Sequence, residues 1–261
     1  MTLDVDLALD TCRRATAAAS RASLAHFRRG VRVEVKPDRT PVTAADRDAE
    51  AAILEVVRGV FPGHAVLGEE TGAHAGDARS RWIVDPIDGT RGFTRGGPFW
   101  GPLVALEHEG EVVVGAMAMP VLGESYWAAR GRGAWMQRGG EAPVALRVSG
   151  IGDWSEATLS LGEFRGVFAP PRERRLLDLS LAAAQARCYG DLAGAAMVLQ
   201  GRAEAWVEAG VKVWDLAPLK VLAEEAGGRF TDLAGRPSCA SGDCLLSNGA
   251  VHAHVLGALS G

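Results

Sequence analysis

Apolar residues recur at helical spacing through residues 3–28, which predicts a helix ended by Gly30. Val31, Val33 and Val35 then alternate with Arg32, Glu34 and Lys36, the pattern of a half-exposed strand. Thr43 stands as an N-cap before AADRDAEAAILEVVRGV, a second helix that Pro62-Gly63 stop. Short apolar runs follow: AVLG, RWIV, GPLVALEHEG joined across a glycine-containing turn to EVVVGAMAMP, then ESYWAARG and a segment near APVALRVS. The first half therefore reads as two helices and a largely antiparallel sheet.

Beyond about residue 150 strands and helices alternate, the pattern of an α/β layer. ATLSLGEF precedes a helix near 172–186, and ARCYGD precedes the helix LAGAAMVLQGR. AEAWVEA leads to WDLAPLKVLAEEAGG, followed by the strands RFTDL and CLLSN and a closing helix. Pro143, Gly150 and Gly152 cluster between the two patterns. The expected division is an α+β part over residues 1–145 and an α/β part over residues 146–261.

Composition excludes several classes. The 261 residues are long enough for a proper core, and 48% hydrophobic with 23% charged content is ordinary for a globular chain. A formal net charge of −4 provides no field for nucleic acid or an anionic membrane. No apolar run approaches the roughly 20 residues that span a bilayer. With arginines spread through residues 1–30, no secretory signal is expected there. Cys12, Cys188, Cys239 and Cys244 show neither zinc nor disulfide spacing, so a reduced, cytoplasmic chain is expected.

The chemistry concentrates in acids at element ends. RWIVDPIDGT ends an apolar strand on Asp85 and Asp88, Glu69 follows the apolar run in LGEET, and Asp215 opens a helix. Carboxylates held together without a counter-charge cost several kcal/mol, so the pattern implies a cation. Oxygen ligands without His or Cys suit Mg²⁺ or Mn²⁺, and such ions clamp the oxygens of a transferring phosphoryl group. Gly89 would let the backbone approach a phosphate, and the Thr90 hydroxyl would orient water. Each signal alone has a plainer reading: D-x-x-D-G-T as a capped turn, Asp215 as a helix N-terminal charge, Glu70 as solvated.

Four segments together resemble the inositol monophosphatase family of Mg²⁺-dependent, lithium-sensitive phosphatases. They are Lys36 to Asp46, Leu67 to Glu70, Trp82 to Thr90, and Trp214 to Pro218 with Glu225 to Gly228. The resemblance implies a layered αβαβα sandwich of α/β class. It implies that Glu69, Asp85 and the Ile87 carbonyl hold one metal, and that Asp85, Asp88 and Asp215 hold a second. Two or three Mg²⁺ ions per site are expected, with Mn²⁺ as a substitute. Thr90, bonded to Asp46, would activate the water, and with Glu69 these are the expected catalytic residues. Gly89 and Thr90 would bind phosphate through backbone N–H groups. Attack is expected to be direct and in line, without a phosphoenzyme. Lys36 would lie near the site.

Within that family, the run GTRGFTRGGPFWGPLVAL and the pair Gly190-Asp191 are most similar to the histidinol-phosphate phosphatases. Arg187, Gly190, Asp191 and Glu208 are the expected substrate-binding residues, with Asp191 and Glu208 pairing with the ammonium and imidazole of histidinol phosphate. Inositol 1-phosphate, a nucleotide bisphosphate or a sugar bisphosphate are the alternatives, and a retired or moonlighting binding protein is the non-enzyme one. An aspartyl-phosphate phosphatase would space its acids two apart rather than three, and a calcium loop would carry a Glu at its twelfth position. A homodimer in the cytoplasm is expected, with a small phosphate monoester as partner and no nucleic acid or membrane. Thr71 to Ser80 reads as a mobile lid beside Glu69, and His252 and His254 as surface residues of the last helix.

Overall fold

The computed structural model describes residues 3–30, 33–35 and 41–260, the side chains of Asp191 and Ser260 excepted. In chain order come α1 (Val5–His26), β1 (Glu34–Val35), β2 (Pro41–Val42), α2 (Ala44–Val60), β3 (His64–Gly68), β4 (Gly72–His74), β5 (Asp77–Asp88) and α3 (Thr90–Thr94). β6 (Gly101–His108), β7 (Glu111–Met119), β8 (Glu124–Ala129), β9 (Ala134–Arg138) and β10 (Val144–Ala145) complete the first part. Then follow β11 (Thr158–Leu161), α4 (Phe164–Val167), α5 (Glu173–Ala182), β12 (Gln185–Arg187), α6 (Asp191–Leu199) and β13 (Ala205–Ala209). The chain closes with α7 (Val213–Glu225), β14 (Arg229–Thr231), β15 (Asp243–Ser247) and α8 (His252–Ser260).

Beside a two-stranded β1-β2 ribbon, two larger sheets organise the described elements: an eight-stranded one ordered β10-β9-β8-β7-β6-β5-β3-β4 and a five-stranded one ordered β12-β11-β13-β15-β14. In the first, only the β3–β5 pairing is parallel. Its strands alternate faces as period 2 requires. Trp82, Val84, Val104 and Leu106 pack under α1 and α2, whereas Ile83, Leu103 and Ala105 face α6 and α7. Those two helices also meet the second sheet through Trp206, Phe230 and Leu246, and α5 and α8 cover its far face through Leu176, Leu179 and Val255. Three apolar cores thus join five layers, the middle one lying on both faces of α6 and α7, in an αβαβα sandwich.

α2 occupies the predicted residues, because Thr43 caps it and accepts the Ala45 amide at 3.1 Å. Elsewhere the structure departs from expectation. The helix expected near 172–186 is α5, which ends earlier, at Ala182, and neither α4 nor β9 was anticipated. Thr71 to Ser80 is not a free lid: β4 pairs antiparallel with β3, and β5 begins at Asp77. His252 is buried, bonded to Thr231 of β14 and Ser247 of β15, whereas His254 is exposed as expected. A hydrogen-bonded histidine can be buried neutral where an amphipathic pattern places it outside.

Candidate active site

Each acid of the site stands where a regular element ends. β3 and β5 run parallel with Gly68 beside Val84, so Glu69 and Asp85 follow at neighbouring positions. The Glu69 amide donates to the Val84 carbonyl at 3.1 Å. Pairing of β5 with β6 then slips between Asp85 and Asp88, and the bulge turns the chain there. The Ile87 amide donates to Asp85 Oδ1 at 2.8 Å within that turn. Gly89, at φ 81°, takes the left-handed conformation that starts α3, which a side chain would disfavour.

The other two acids sit in the first turn of long helices. Asp46 Oδ2 accepts the Thr43 amide and hydroxyl, both at 2.7 Å, and Asp215 Oδ2 accepts the Lys212 amide at 2.7 Å. Asp215 is therefore both a helix-capping charge and part of the cluster. One carboxylate oxygen from each of Asp85, Asp88 and Asp215 lies within 4.8 Å of the others. Glu69 stands outside that group, yet its negative charge is felt at Asp85, Asp215 and Asp46.

The electrostatics follow from this crowding. Burial, then Glu69, Asp215 and Asp88, push the Asp85 carboxyl well above the usual range. Burial pushes Asp215 up to about 6, against the opposing Lys212 amide. Burial also raises Asp46, opposed by its bonds from Thr43. The charges acting most strongly on Asp85 are all negative. Hard oxygen donors under that mutual repulsion fit a divalent cation such as Mg²⁺.

Two acids of the cluster, Asp88 and Asp215, line a pocket of about 330 Å³ together with Glu163, Arg165, Trp206 and Glu208. Glu208 is buried, and its Oε1 accepts the Glu163 and Ala209 amides at 3.0 and 2.9 Å. A Cβ on Gly162 would fall 1.7 Å from Glu208 Oε2, so glycine makes the room for this carboxylate. A larger pocket of about 520 Å³ lies between α1 and β7–β8 and contains none of the cluster acids.

Thr90 and Asp46 meet, with 3.3 Å between Oγ1 and Oδ1, and Thr90 Oγ1 also lies 3.0 Å from the Ile87 carbonyl. Glu208 reaches the pocket. Arg187 is exposed, donates to the Ala186 carbonyl at 2.8 Å, and is not among the residues lining the pocket. Gly190, at φ 79°, precedes α6, whose first residue is Asp191. The Asp191 side chain and Lys36 lie outside the described residues. Sequence reasoning missed Glu50, Gly162, Glu163 and Arg165. Glu50 was findable: it lies four residues after Asp46, on the same helix face.

The model of the inositol monophosphatase family matches residues 5–260. The chain belongs to the inositol monophosphatase family. It is 40% identical over 226 residues to histidinol-phosphatase of Mycobacterium tuberculosis, covering 87% of each chain. It is 39% identical over 261 residues to histidinol-phosphatase of Chlorobaculum parvum, covering 99% of this chain and 97% of that one. Its fold superposes on the extragenic suppressor protein SuhB of Bartonella henselae with a TM-score of 0.88 at 26% identity, over 97% and 98% of the two chains. This member of the family is a phosphatase acting on phosphate monoesters. The family is Mg²⁺-dependent, and the acid cluster has the composition to hold metal. Among the described residues no helix is long and apolar enough to cross a membrane.

Proposed function

We propose that this phosphatase hydrolyses histidinol phosphate to histidinol and inorganic phosphate. The observation that carries the reading is the lining of the 330 Å³ pocket, which joins the cluster acids Asp88 and Asp215 to the buried Glu208 carboxylate. A phosphate held near Asp88 and Asp215 would leave the ammonium or imidazolium within the same pocket as Glu208. A carboxylate held by two amide donors pairs with such a cation without first ordering itself. Arg165 lines the same pocket but is exposed, so water screens its charge more than that of Glu208. The two histidinol-phosphatases at 39–40% identity support the same substrate.

In this assignment Glu69, Asp85 and the Ile87 carbonyl hold one Mg²⁺, and Asp85, Asp88 and Asp215 hold another. Two or three Mg²⁺ ions would bind per site, and Mn²⁺ would substitute for them. Bound there, the cations supply positive charge to the phosphate oxygens and lower the pKa of water. Thr90, Asp46 and Glu69 are the catalytic residues: Asp46 holds the Thr90 hydroxyl, which orients the attacking water in line with the leaving oxygen. The Gly89 and Thr90 amides face the phosphate. Glu208, with Arg187, Gly190 and Asp191, selects the alcohol.

The division of labour is between residues 1–145, which carry most metal ligands, and residues 146–261, which carry Asp215 and the substrate contacts. We place the enzyme in histidine synthesis, as a cytoplasmic, lithium-sensitive homodimer without nucleic-acid or membrane partners.

The test is phosphate release from histidinol phosphate, inositol 1-phosphate, fructose 1,6-bisphosphate and adenosine 3′,5′-bisphosphate, with Mg²⁺ present or chelated. Metal-dependent release greatest on histidinol phosphate supports the assignment. A preference for another member of the panel overturns the substrate.

A further inference from the structure

Glu50 is wholly buried on α2, one helical turn beyond Asp46. A carboxylate in that position needs donors, and it finds them outside its own helix. Its Oε2 accepts the Glu70 amide at 2.9 Å, and its Oε1 accepts the Thr71 amide at 2.9 Å and the Thr71 hydroxyl. These are the residues immediately after Glu69. The backbone on the other side is shaped for the same contact: a Cβ on Gly68 would stand 2.3 Å from Glu50 Oε1. Gly68 and Glu70 thus flank Glu69, and both abut one buried carboxylate.

The two buried acids of α2 therefore reach two different parts of the site. Asp46 approaches Thr90, after β5, and Glu50 holds the turn after β3. The turn after β3 is a loop, and loops place a side chain less reproducibly than helices do unless something ties them down. α2 is itself fixed by its packing under the large sheet through Ile53 and Val57.

We infer that Glu50 is a positioning residue that sets the place of Glu69 for metal binding. The inference rests on Glu69 being a metal ligand, as proposed above. Glu50 touches neither cluster oxygen nor substrate in this role and acts through the loop. Partners that orient a metal ligand typically contribute about 10–100-fold in metal affinity.

The experiment uses the full chain and Mn²⁺ or Mg²⁺ alone as probes. Metal affinity is measured by calorimetry and by the rise in melting temperature with added metal, and turnover is titrated against Mg²⁺. Glu50→Gln keeps the size but turns one acceptor into a donor facing an amide. It is expected to weaken metal affinity about 10–100-fold, while kcat at saturating Mg²⁺ changes much less. Gly68→Ala, which forces the carboxylate aside, is expected to do the same and serves if Glu50→Gln does not fold. Because Glu50 acts through Glu69, the double variant Glu50→Gln/Glu69→Gln should bind metal no more weakly than Glu69→Gln alone.

Unchanged metal affinity in folded Glu50→Gln and Gly68→Ala, whatever their melting temperatures, overturns the inference and leaves Glu69 as a ligand. Additive losses in the double variant also overturn it. Unchanged metal affinity in Glu69→Gln overturns the ligand assignment itself and the inference with it.

Discussion

Thr90 Oγ1 lies 3.0 Å from the carbonyl of Ile87 and 3.3 Å from Oδ1 of Asp46. One hydroxyl proton faces two acceptors, so Asp46 must compete for it, and what gives Asp46 a fixed position is Thr43 rather than Thr90. Replacing Asp46 with Asn puts an amide where two donors converge from Thr43. Stability should fall by about 1–2 kcal/mol through the lost helix cap. Turnover should fall further, by about 10²–10⁴, if the pair orients water. Thr90→Ser should retain most activity and Thr90→Val should not. Equal kcat for the Ser and Val variants would show that the hydroxyl has no part in the chemistry.

Asp88 is half-exposed and lies in no apolar core. Asp88→Asn should therefore leave the fold intact and raise rather than lower the melting temperature of metal-free protein, because one of the charges repelling Asp85 is removed. The stabilisation that Mg²⁺ confers should shrink, and turnover should drop by at least about 10³. Scanning calorimetry with and without chelator, beside a phosphate-release assay, reads both quantities. Near-normal turnover would remove Asp88 from the metal set.

Gly162 and Glu208 give a prediction about selectivity. A methyl on Gly162 would overlap the Glu208 carboxylate, 1.7 Å from Oε2. Gly162→Ala should displace that carboxylate and raise KM for histidinol phosphate about tenfold or more, the scale of a lost charge-assisted bond. Its effect on inositol 1-phosphate should be smaller, since no cation needs pairing. Steady-state kinetics on both substrates decides; equal losses would assign Glu208 to the fold rather than to selection.

His252 predicts a pH dependence of stability. The Thr231 hydroxyl donates to the Asp232 carbonyl, so it accepts from His252 Nε2–H. Ser247 accepts the Gly249 amide and gives its proton to Nδ1. The ring is thereby held neutral, and burial with the Arg229 charge lowers its pKa to about 4. The unfolded ring titrates near 6.5, so between these values only the unfolded state takes the proton. Stability from this residue is complete above about 6.5 and declines by about 3 kcal/mol as pH falls through 4. Urea midpoints between pH 4 and 7 should show this slope, and His252→Gln should flatten it. An unchanged slope in a folded variant would assign the pH dependence to other groups.

Local chemistry by itself determined much of this protein. The α2 boundaries followed from Thr43 and Pro62-Gly63, because caps and stops are local. Asp85 and Asp88 pointed to a cation only together with Glu69 and Asp215, and the order of four motifs named the family. Residues that act across the chain were decided only by the tertiary structure. Glu50 looked like one charge on an amphipathic helix until β3 brought Gly68 and the Thr71 amide to it. Glu208 became a fixed pocket carboxylate because parallel pairing of β11 with β13 set Gly162 against it. His252 was misplaced on the surface because its partners, Thr231 and Ser247, lie on two strands that only the second sheet makes neighbours. Periodicity records which face of an element is apolar; which polar group meets which donor across layers depends on register and packing, and no local pattern encodes that.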